Sequence, residues 1–280
     1  MTSGLVAVTG STGRIGGSVA AQLAERDVPM RLVVRDPGRA PAYDDVEVRQ
    51  AAYGEREASV AALQGAETLF MVSAAESADR IGEHRAFVDA AVEAGVRRIV
   101  YTSFVGAAPD ATFLLGRDHW ITEQHIQASG LAWTFLRDNL YADFLPKLAD
   151  SDGVIRGPAG DGKLAAVAQD DVAAVAAVVL GDVARHAESA YALTGPASLS
   201  LAEAAEIMSR VTGQRFAYQN ETIEEAYASR AGLGAPGWQV DAWVSTYTAI
   251  ATGEMAEVSE DVERLLGRSA TSLEQVLTGA

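Results

Sequence analysis

Apolar positions in the first half of the chain follow two spacings in alternation. Short apolar runs are typical of strands in a buried parallel sheet, and they occur at 5–9, 30–34, 68–72, 98–102 and 132–136. Residues 46–51 alternate between apolar and polar positions, which also predicts a strand. Between them, apolar residues recur every three or four positions, as in helices with one buried side, at 13–25, 57–63, 80–94 and 118–128. Strands alternating with helices predict an α/β fold with a Rossmann-type, doubly wound parallel sheet.

The second half of the chain has a different pattern. Four glycines interrupt residues 152–163, which predicts turns and short strands there. Helical spacing, with a short strand at 191–194, returns at 171–180, 201–211, 223–230, 238–250 and 258–266. Asp170 is placed to cap the first of these helices. We therefore expect a Rossmann domain over 1–151 and a smaller, mostly helical substrate-binding lobe over 152–280, with some segments returning to the sheet.

A glycine-rich turn joins the first predicted strand to the first predicted helix. It contains Gly10, Ser11, Thr12, Gly13, Arg14, Ile15 and Gly16. Gly10 would permit the tight turn, Gly13 would let the backbone approach a pyrophosphate, and Gly16 would let the helix pack on the sheet. The turn lies within a βαβ unit and opens a helix whose first amides lack partners. This context favours a dinucleotide site over a turn without a ligand.

The residue at the end of the second predicted strand distinguishes NAD from NADP. An acidic residue at this place binds the ribose 2′-hydroxyl of NAD, whereas an arginine can hold the 2′-phosphate of NADP. Both Arg35 and Asp36 are candidates, but Asp36 precedes a proline and is also explained as a turn residue. Arg14 adds positive charge nearby. NADP is therefore favoured, and NAD stays open as the alternative.

Composition narrows the class of protein. The net charge of −16 disfavours nucleic acid as a partner. The chain has no cysteine, which excludes disulfides, thiolate metal sites and a cysteine nucleophile. No apolar stretch reaches the roughly 20 residues that span a membrane, and the first ten residues lack the basic start of a signal sequence. We expect a cytoplasmic protein, and a homodimer is compatible with the sequence.

Five further motifs, each of a different sequence, are distributed along nearly the whole chain. They are Val100-Tyr101-Thr102-Ser103, Thr134 to Asn139, Gly160-Asp161-Gly162-Lys163, Asp170 to Ala173 and Tyr191 to Gly195. Together with the glycine turn, they resemble the NmrA-like atypical branch of the short-chain dehydrogenase/reductases. Within that branch, the chain is most similar to bacterial NAD(P)H:quinone oxidoreductases.

The resemblance implies roles for particular residues. Residues 10–15 would wrap the pyrophosphate and Arg35 would reach the 2′-phosphate. Ser73 and Ala74 would lie beside the bridge between adenosine and nicotinamide. Residues 137–141, which include Arg137, Asn139 and Tyr141, would line the nicotinamide side, and residues 160–163 would border the substrate cleft. The expected partner is a small aromatic or quinone-like substrate.

One feature of the superfamily is missing. Ordinary members reduce carbonyl groups with a Tyr-x-x-x-Lys pair, and neither of the two lysines, Lys147 and Lys163, has a tyrosine four residues before it. The only polar candidates for catalysis are Ser103, His119 and Tyr141. No set of residues with metal-ligand spacing is recognisable, although Glu83, His84, Glu123 and His125 are of the right types.

Reduction of a quinone does not require the missing Tyr-x-x-x-Lys pair. Hydride addition gives a stabilised phenolate, so protonation can follow in a later step. The sequence therefore favours NAD(P)H-dependent reduction of a quinone-like acceptor by direct hydride transfer, with orientation and exclusion of water as the protein's main contribution. Two alternatives stay open. One is a non-catalytic NAD(P) sensor of the NmrA type. The other is a tailoring reductase or oxygenase that acts on an aromatic polyketide.

Overall fold

The structure is a computed structural model that describes residues 4–279. Its strands are β1 (Val6–Thr9), β2 (Met30–Val34), β3 (Glu47–Gln50), β4 (Thr68–Met71), β5 (Arg98–Phe104), β6 (Ala132–Asp138), β7 (Val154–Gly157), β8 (Lys163–Leu164), β9 (Ser189–Leu193), β10 (Leu199–Ser200) and β11 (Ala217–Asn220). Its helices are α1 (Arg14–Ala24), α2 (Arg56–Leu63), α3 (Arg80–Glu93), α4 (Leu114–Ala128), α5 (Gln169–Gly181), α6 (Leu201–Thr212), α7 (Ile223–Arg230), α8 (Gly237–Thr252), α9 (Asp261–Leu266) and α10 (Leu273–Thr278).

A seven-stranded sheet organises the fold. Its strand order is β3-β2-β1-β4-β5-β6-β9, and the pairs from β3 to β5 are parallel. Every residue of β1 and β4 is buried, as expected for strands covered on both faces. The order reverses next to β1, the place where open α/β sheets bind ligands at the carboxyl ends of their strands. The predicted fold class is confirmed.

The chain divides into two compact units that are interleaved along the sequence. Among the described residues, the first comprises 4–103, 120–137 and 172–191, and the second comprises 104–119, 138–171 and 192–279. The second unit contains α6 to α10 and two small sheets, β10 with β8 and β11 with β7. Neither unit coincides with the ranges 1–151 and 152–280. None of the helices described is both long and apolar enough to cross a membrane.

Helix α4 begins at Leu114, one turn before the predicted start. Its first amides are capped from a distant part of the chain. The backbone amide of Thr112 donates to both carboxylate oxygens of Glu254, at 2.9 and 3.0 Å. The hydroxyl of Ser245 accepts a hydrogen bond from the amide of Leu114 at 3.1 Å. Because these acceptors lie more than 130 residues away, the hydrophobic pattern around residue 114 could not predict where the helix begins.

The prediction that Asp170 caps α5 was wrong. The helix starts at Gln169, so Asp170 lies inside the first turn. The capping acceptor is Asp143, whose carboxylate takes the amide hydrogen of Gln169 at 2.9 Å. Segment 191–194 is also more than a short local strand, because β9 becomes the seventh strand of the central sheet.

Asp171, next in α5, is a completely buried carboxylate. Its three hydrogen-bond donors all come from a segment near the end of the chain. Arg268 donates to Oδ1 at 2.7 Å, and Thr271 donates through its amide to Oδ2 at 2.6 Å and through its hydroxyl to Oδ1 at 2.9 Å. A buried charge needs such partners to be tolerated, so this contact fixes the start of α5 within the second unit.

Candidate functional site

The glycine turn between β1 and α1 is shaped by close backbone approach. Gly10 has φ +66°, a conformation that favours glycine, and its carbonyl accepts the amide of Gly13 at 2.9 Å. A Cβ on Gly16 would overlap the carbonyl group of Gly10, whereas a Cβ on Gly13 would stand 3.4 Å from that oxygen. Gly16 is therefore needed for packing, and Gly13 is a position where the outer surface of the turn stays open.

The amino end of α1 is ready to receive an anion. Gly13 is its N-cap and supplies no side-chain acceptor, and no acidic residue lies in the first turn. The hydroxyl oxygen of Ser11 is buried and has no hydrogen-bond partner among residues 4–279. Unpaired amides at a helix start and a buried hydroxyl without a partner both fit a bound phosphate group.

A cavity of about 410 Å³ opens beside this turn. We call it the turn cavity. Its lining comes from the carboxyl ends of β1, β2, β3 and β4 and includes Gly10, Thr12, Arg35, Ala52, Tyr53, Gly54, Ser73, Ala74, Glu76, Ser77 and Glu83. The structure therefore brings together the glycine turn, Arg35, Ser73 and Ala74, which the sequence placed on three separate segments.

Tyr53 is a lining residue that the sequence did not indicate. Its hydroxyl donates to the carbonyl of Val72 at 2.6 Å and lies 2.6 Å from Oγ1 of Thr9, which in turn accepts the amide of Val72 at 2.9 Å. Its ring stacks on Phe87 with the centroids 4.2 Å apart. Burial raises the pKa of Tyr53 above its ordinary value. Tyr53 is therefore neutral, and its hydrogen bonds and ring stacking stabilise the wall of the turn cavity.

The loop after β4 is held through its backbone. The amide of Ser73 donates to Oγ1 of Thr102 at 2.8 Å, and the amide of Ala74 donates to Nε2 of His84 at 2.9 Å. Burial, followed by the nearby charge of Arg80, lowers the pKa of His84 to about 3. His84 is thus neutral, with Nε2 as acceptor, and its Nδ1 lies 2.9 Å from Oγ1 of Thr122.

Ser103, a candidate for catalysis, is already engaged in a buried cluster. Its hydroxyl donates to Oε1 of Glu123 at 2.6 Å. Arg137 holds the same carboxylate with two hydrogen bonds, from Nε at 2.9 Å and from Nη2 at 2.6 Å. The Glu123 side chain is 2% exposed and that of Arg137 is 34% exposed. These hydrogen bonds raise the pKa of Arg137. We call this group the Ser103 cluster.

The other predicted residues lie in the second unit. Asn139 is buried, with its amide group donating to the carbonyl of Met255 at 2.9 Å and accepting from Leu140 at 2.8 Å. The hydroxyl of Tyr141 donates to Asp138 at 2.6 Å. His119 is buried, with its ring centroid 6.1 Å from that of Phe104. The roles of Asn139, Tyr141 and His119 in cofactor binding or catalysis stay predictions.

The structure also describes the surroundings of Lys163 and the distribution of metal-ligating residue types. Lys163, at the turn expected to border the substrate cleft, is half-exposed and lies 3.4 Å from a carboxylate oxygen of Glu203. Within residues 4–279, histidine and carboxylate side chains nowhere gather in a group of three that could hold a metal ion.

Comparison with known proteins gives a consistent result over the full chain. A model of the NmrA-like family matches residues 2–273. Quinone oxidoreductase 2 of Escherichia coli is 33% identical, covering 96% of this chain and 96% of its own. NAD(P)H azoreductase of Xenophilus azovorans is 34% identical, covering 95% and 94%. The crystal structure of NADPH-dependent quinone oxidoreductase QOR2 from Escherichia coli, complexed with NADPH, has a TM-score of 0.89 at 32% identity, covering 98% and 99%.

The resemblance drawn from the glycine turn and the later motifs is thus confirmed. The matches cover both halves of the sequence, including the segment after residue 151, where the patterning changes. The chain belongs to the NmrA-like family.

Proposed function

We propose that this protein uses NADPH to reduce quinone-like aromatic acceptors. At the coarser level, the chain is an NAD(P)H-dependent oxidoreductase, like the relatives that match it from end to end. The observation that carries the proposal is the turn cavity, which joins an open helix start to Arg35 at the end of β2. Those two relatives are named for reducing quinones and azo compounds, which supports an aromatic acceptor.

The residues of the turn cavity fit the parts of a dinucleotide phosphate. The amides at the start of α1 and the buried hydroxyl of Ser11 would bind the pyrophosphate. Arg35 lines the cavity and would hold the 2′-phosphate through charge-assisted hydrogen bonds. The loop at Ser73 and Ala74, fixed by Thr102 and His84, would form the wall beside the sugar.

Once bound, NADPH supplies a hydride to the acceptor. The chain offers no Tyr-x-x-x-Lys pair to protonate an alkoxide, and the hydroxyl of Ser103 donates to Glu123. An acceptor whose reduced form is a stabilised anion does not need a fixed proton donor. Hydride addition to a quinone forms such a phenolate, and water can supply its proton later, after the hydride transfer. The residues of this chain then act by binding, orienting and excluding water.

The test is NADPH oxidation by the purified protein with a panel of small quinones and an azo dye, under air and under nitrogen. Turnover above the uncatalysed rate, equal in both atmospheres and fastest with quinones, is the expected result. Binding of NADPH without turnover of any acceptor would overturn the proposal and favour a sensor. Turnover that requires oxygen would instead favour an oxygenase.

Arg35 can be tested separately from the acceptor. Arg35→Ser should weaken NADPH binding about tenfold or more, because a charge-assisted contact to phosphate is lost, and should change NADH binding little. Arg39→Ser is the matched control, since Arg39 lies four residues later in a short 3₁₀ turn and is absent from the lining of the turn cavity. Equal losses for both cofactors would contradict the assignment of Arg35.

A further inference from the structure

Part of the lining of the turn cavity suits a flat ring. Small apolar side chains line it from two loops, with Ala51 and Ala52 after β3 and Ala74 and Ala75 after β4. In the sheet, β3 and β4 lie on opposite sides of β1. Alanines on two sides leave space for a planar heterocycle. Since this step rests on the proposed function, the heterocycle is the adenine of NADPH.

Most side-chain hydroxyl groups on the lining of the turn cavity already make hydrogen bonds within the protein. The hydroxyl of Tyr53 donates to Val72, and that of Thr9 lies 3.1 Å from the carbonyl of Phe70 while accepting from Val72. The hydroxyl of Ser77 donates to Oε1 of Glu83 at 3.1 Å. These three hydroxyl groups are therefore occupied, and a carboxylate on the same lining is a stronger acceptor for the edge of a base than a hydroxyl group.

Glu83 has such an acceptor. It lies in the first turn of α3, is partly buried and lines the turn cavity. Ser77 fixes one of its carboxylate oxygens, while the other makes no hydrogen bond to any residue that the structure describes. A Cβ built on Gly54 would stand 3.8 Å from Cγ of Glu83, so this carboxylate adjoins the loop after β3 as well.

We propose that Glu83 selects the base of the cofactor by accepting a hydrogen bond from the 6-amino group of adenine. An ionised carboxylate can only accept hydrogen bonds. The amino group of adenine is a donor, which matches it. Hypoxanthine carries a carbonyl oxygen at the same position, and two acceptors facing each other leave both without a partner. Ser77 is the positioning residue, because it orients the carboxylate.

The experiment is calorimetric titration with NADPH and with its analogue in which hypoxanthine replaces adenine. The wild-type protein should bind the analogue about tenfold more weakly or worse, as expected for an unmatched buried polar group. Glu83→Gln should bring the two affinities to within about twofold, because an amide can either accept from the amino group or donate to the carbonyl. Glu76→Gln, at a second carboxylate on the same lining, is the matched control and should keep the wild-type ratio.

The outcomes separate this inference from the proposed function. Equal wild-type affinities for NADPH and the analogue would overturn the role of Glu83 and leave NADPH binding intact. Loss of the preference in Glu76→Gln, with its retention in Glu83→Gln, would also overturn it. Failure of the wild-type protein to bind either nucleotide would overturn the proposed function itself. Melting temperatures of both variants should match the wild type, which shows that the affinities report on folded protein.

Discussion

Two places at the carboxyl ends of the central strands use polar groups in opposite ways. At the glycine turn, the hydroxyl of Ser11 is buried without a partner among the residues described, and the start of α1 has no side-chain cap. In the Ser103 cluster, the carboxylate of Glu123 takes three hydrogen bonds from Ser103 and Arg137. Buried groups with unmet hydrogen bonds indicate a place for a ligand, and satisfied ones indicate structural support.

The contrast also bears on where catalysis was expected. Ser103, His119 and Tyr141 were the polar candidates, and Ser103 is bound within a saturated cluster. The backbone-lined turn, by contrast, offers donors with no side chain of its own to satisfy them. The proposed cofactor site therefore depends on what the backbone leaves open as much as on which side chains are present.

The largest effect should come from breaking the Ser103 cluster. Arg137→Met leaves the carboxylate of Glu123, 2% exposed, without its counter-charge. The free energy of unfolding should fall by about 4 kcal/mol, as for other buried pairs that lose one partner. Urea unfolding at neutral pH measures it.

The matched control for that change is Arg98→Met. Arg98 pairs with Glu67 at 2.6 Å, but both side chains are about one-third exposed. Loss of such a pair should cost less than about 1 kcal/mol. If both variants lost the same stability, the distinction between a saturated buried cluster and a surface pair would not hold.

A smaller effect is expected from pH acting on His84. Its pKa in the folded protein is about 3, against an ordinary value of 6.5, so the unfolded chain binds more protons between these values. The free energy of unfolding should therefore fall as the pH drops from about 6.5 towards 3, by on the order of 3 kcal/mol from this residue. His84→Gln keeps an acceptor for the amide of Ala74 and removes the titration. Urea midpoints at several pH values should fall less steeply in this variant, and identical slopes would rule out the contribution.

The smallest changes in stability are expected from alanine substitutions in the glycine turn. Gly16→Ala places a Cβ on the carbonyl of Gly10 and should lower the free energy of unfolding by about 2 kcal/mol. Gly13→Ala has room for its Cβ and should cost less, about 1 kcal/mol, because alanine is a poorer N-cap than glycine. It should nevertheless weaken NADPH binding about tenfold, by placing a methyl group where the pyrophosphate approaches the backbone. Thermal unfolding and calorimetry separate the two results, and unchanged NADPH affinity in Gly13→Ala would count against the pyrophosphate site.

The sequence was sufficient for features that depend on local pattern. Three features have local signatures in the sequence: the short, mostly apolar runs of β1 and β4, the spacing of glycines 10, 13 and 16, and Arg35 at a strand end. The glycine turn and Arg35 line the same cavity, because the carboxyl ends of neighbouring parallel strands meet at one edge of a sheet.

Features that depend on distant partners could not be predicted. Glu123 and Arg137 are 14 residues apart on a helix and a strand, and nothing local marks them as a pair. The start of α4 depends on Glu254, more than 130 residues later. Tyr53 follows β3, the least buried strand of the central sheet, so its place in the wall of the turn cavity had no signal in the hydrophobic pattern.

The buried carboxylate of Asp171 has a consequence for how the chain is made. Its hydrogen-bond donors, Arg268 and Thr271, are translated about a hundred residues after it. A nascent chain emerging amino end first therefore holds this charge without partners until residues 268–271 have been made, so this part of the second unit cannot finish folding before then. Without Thr271, this carboxylate would lose two of its three hydrogen bonds and keep only the one from Arg268, although every residue of the glycine turn would be unchanged.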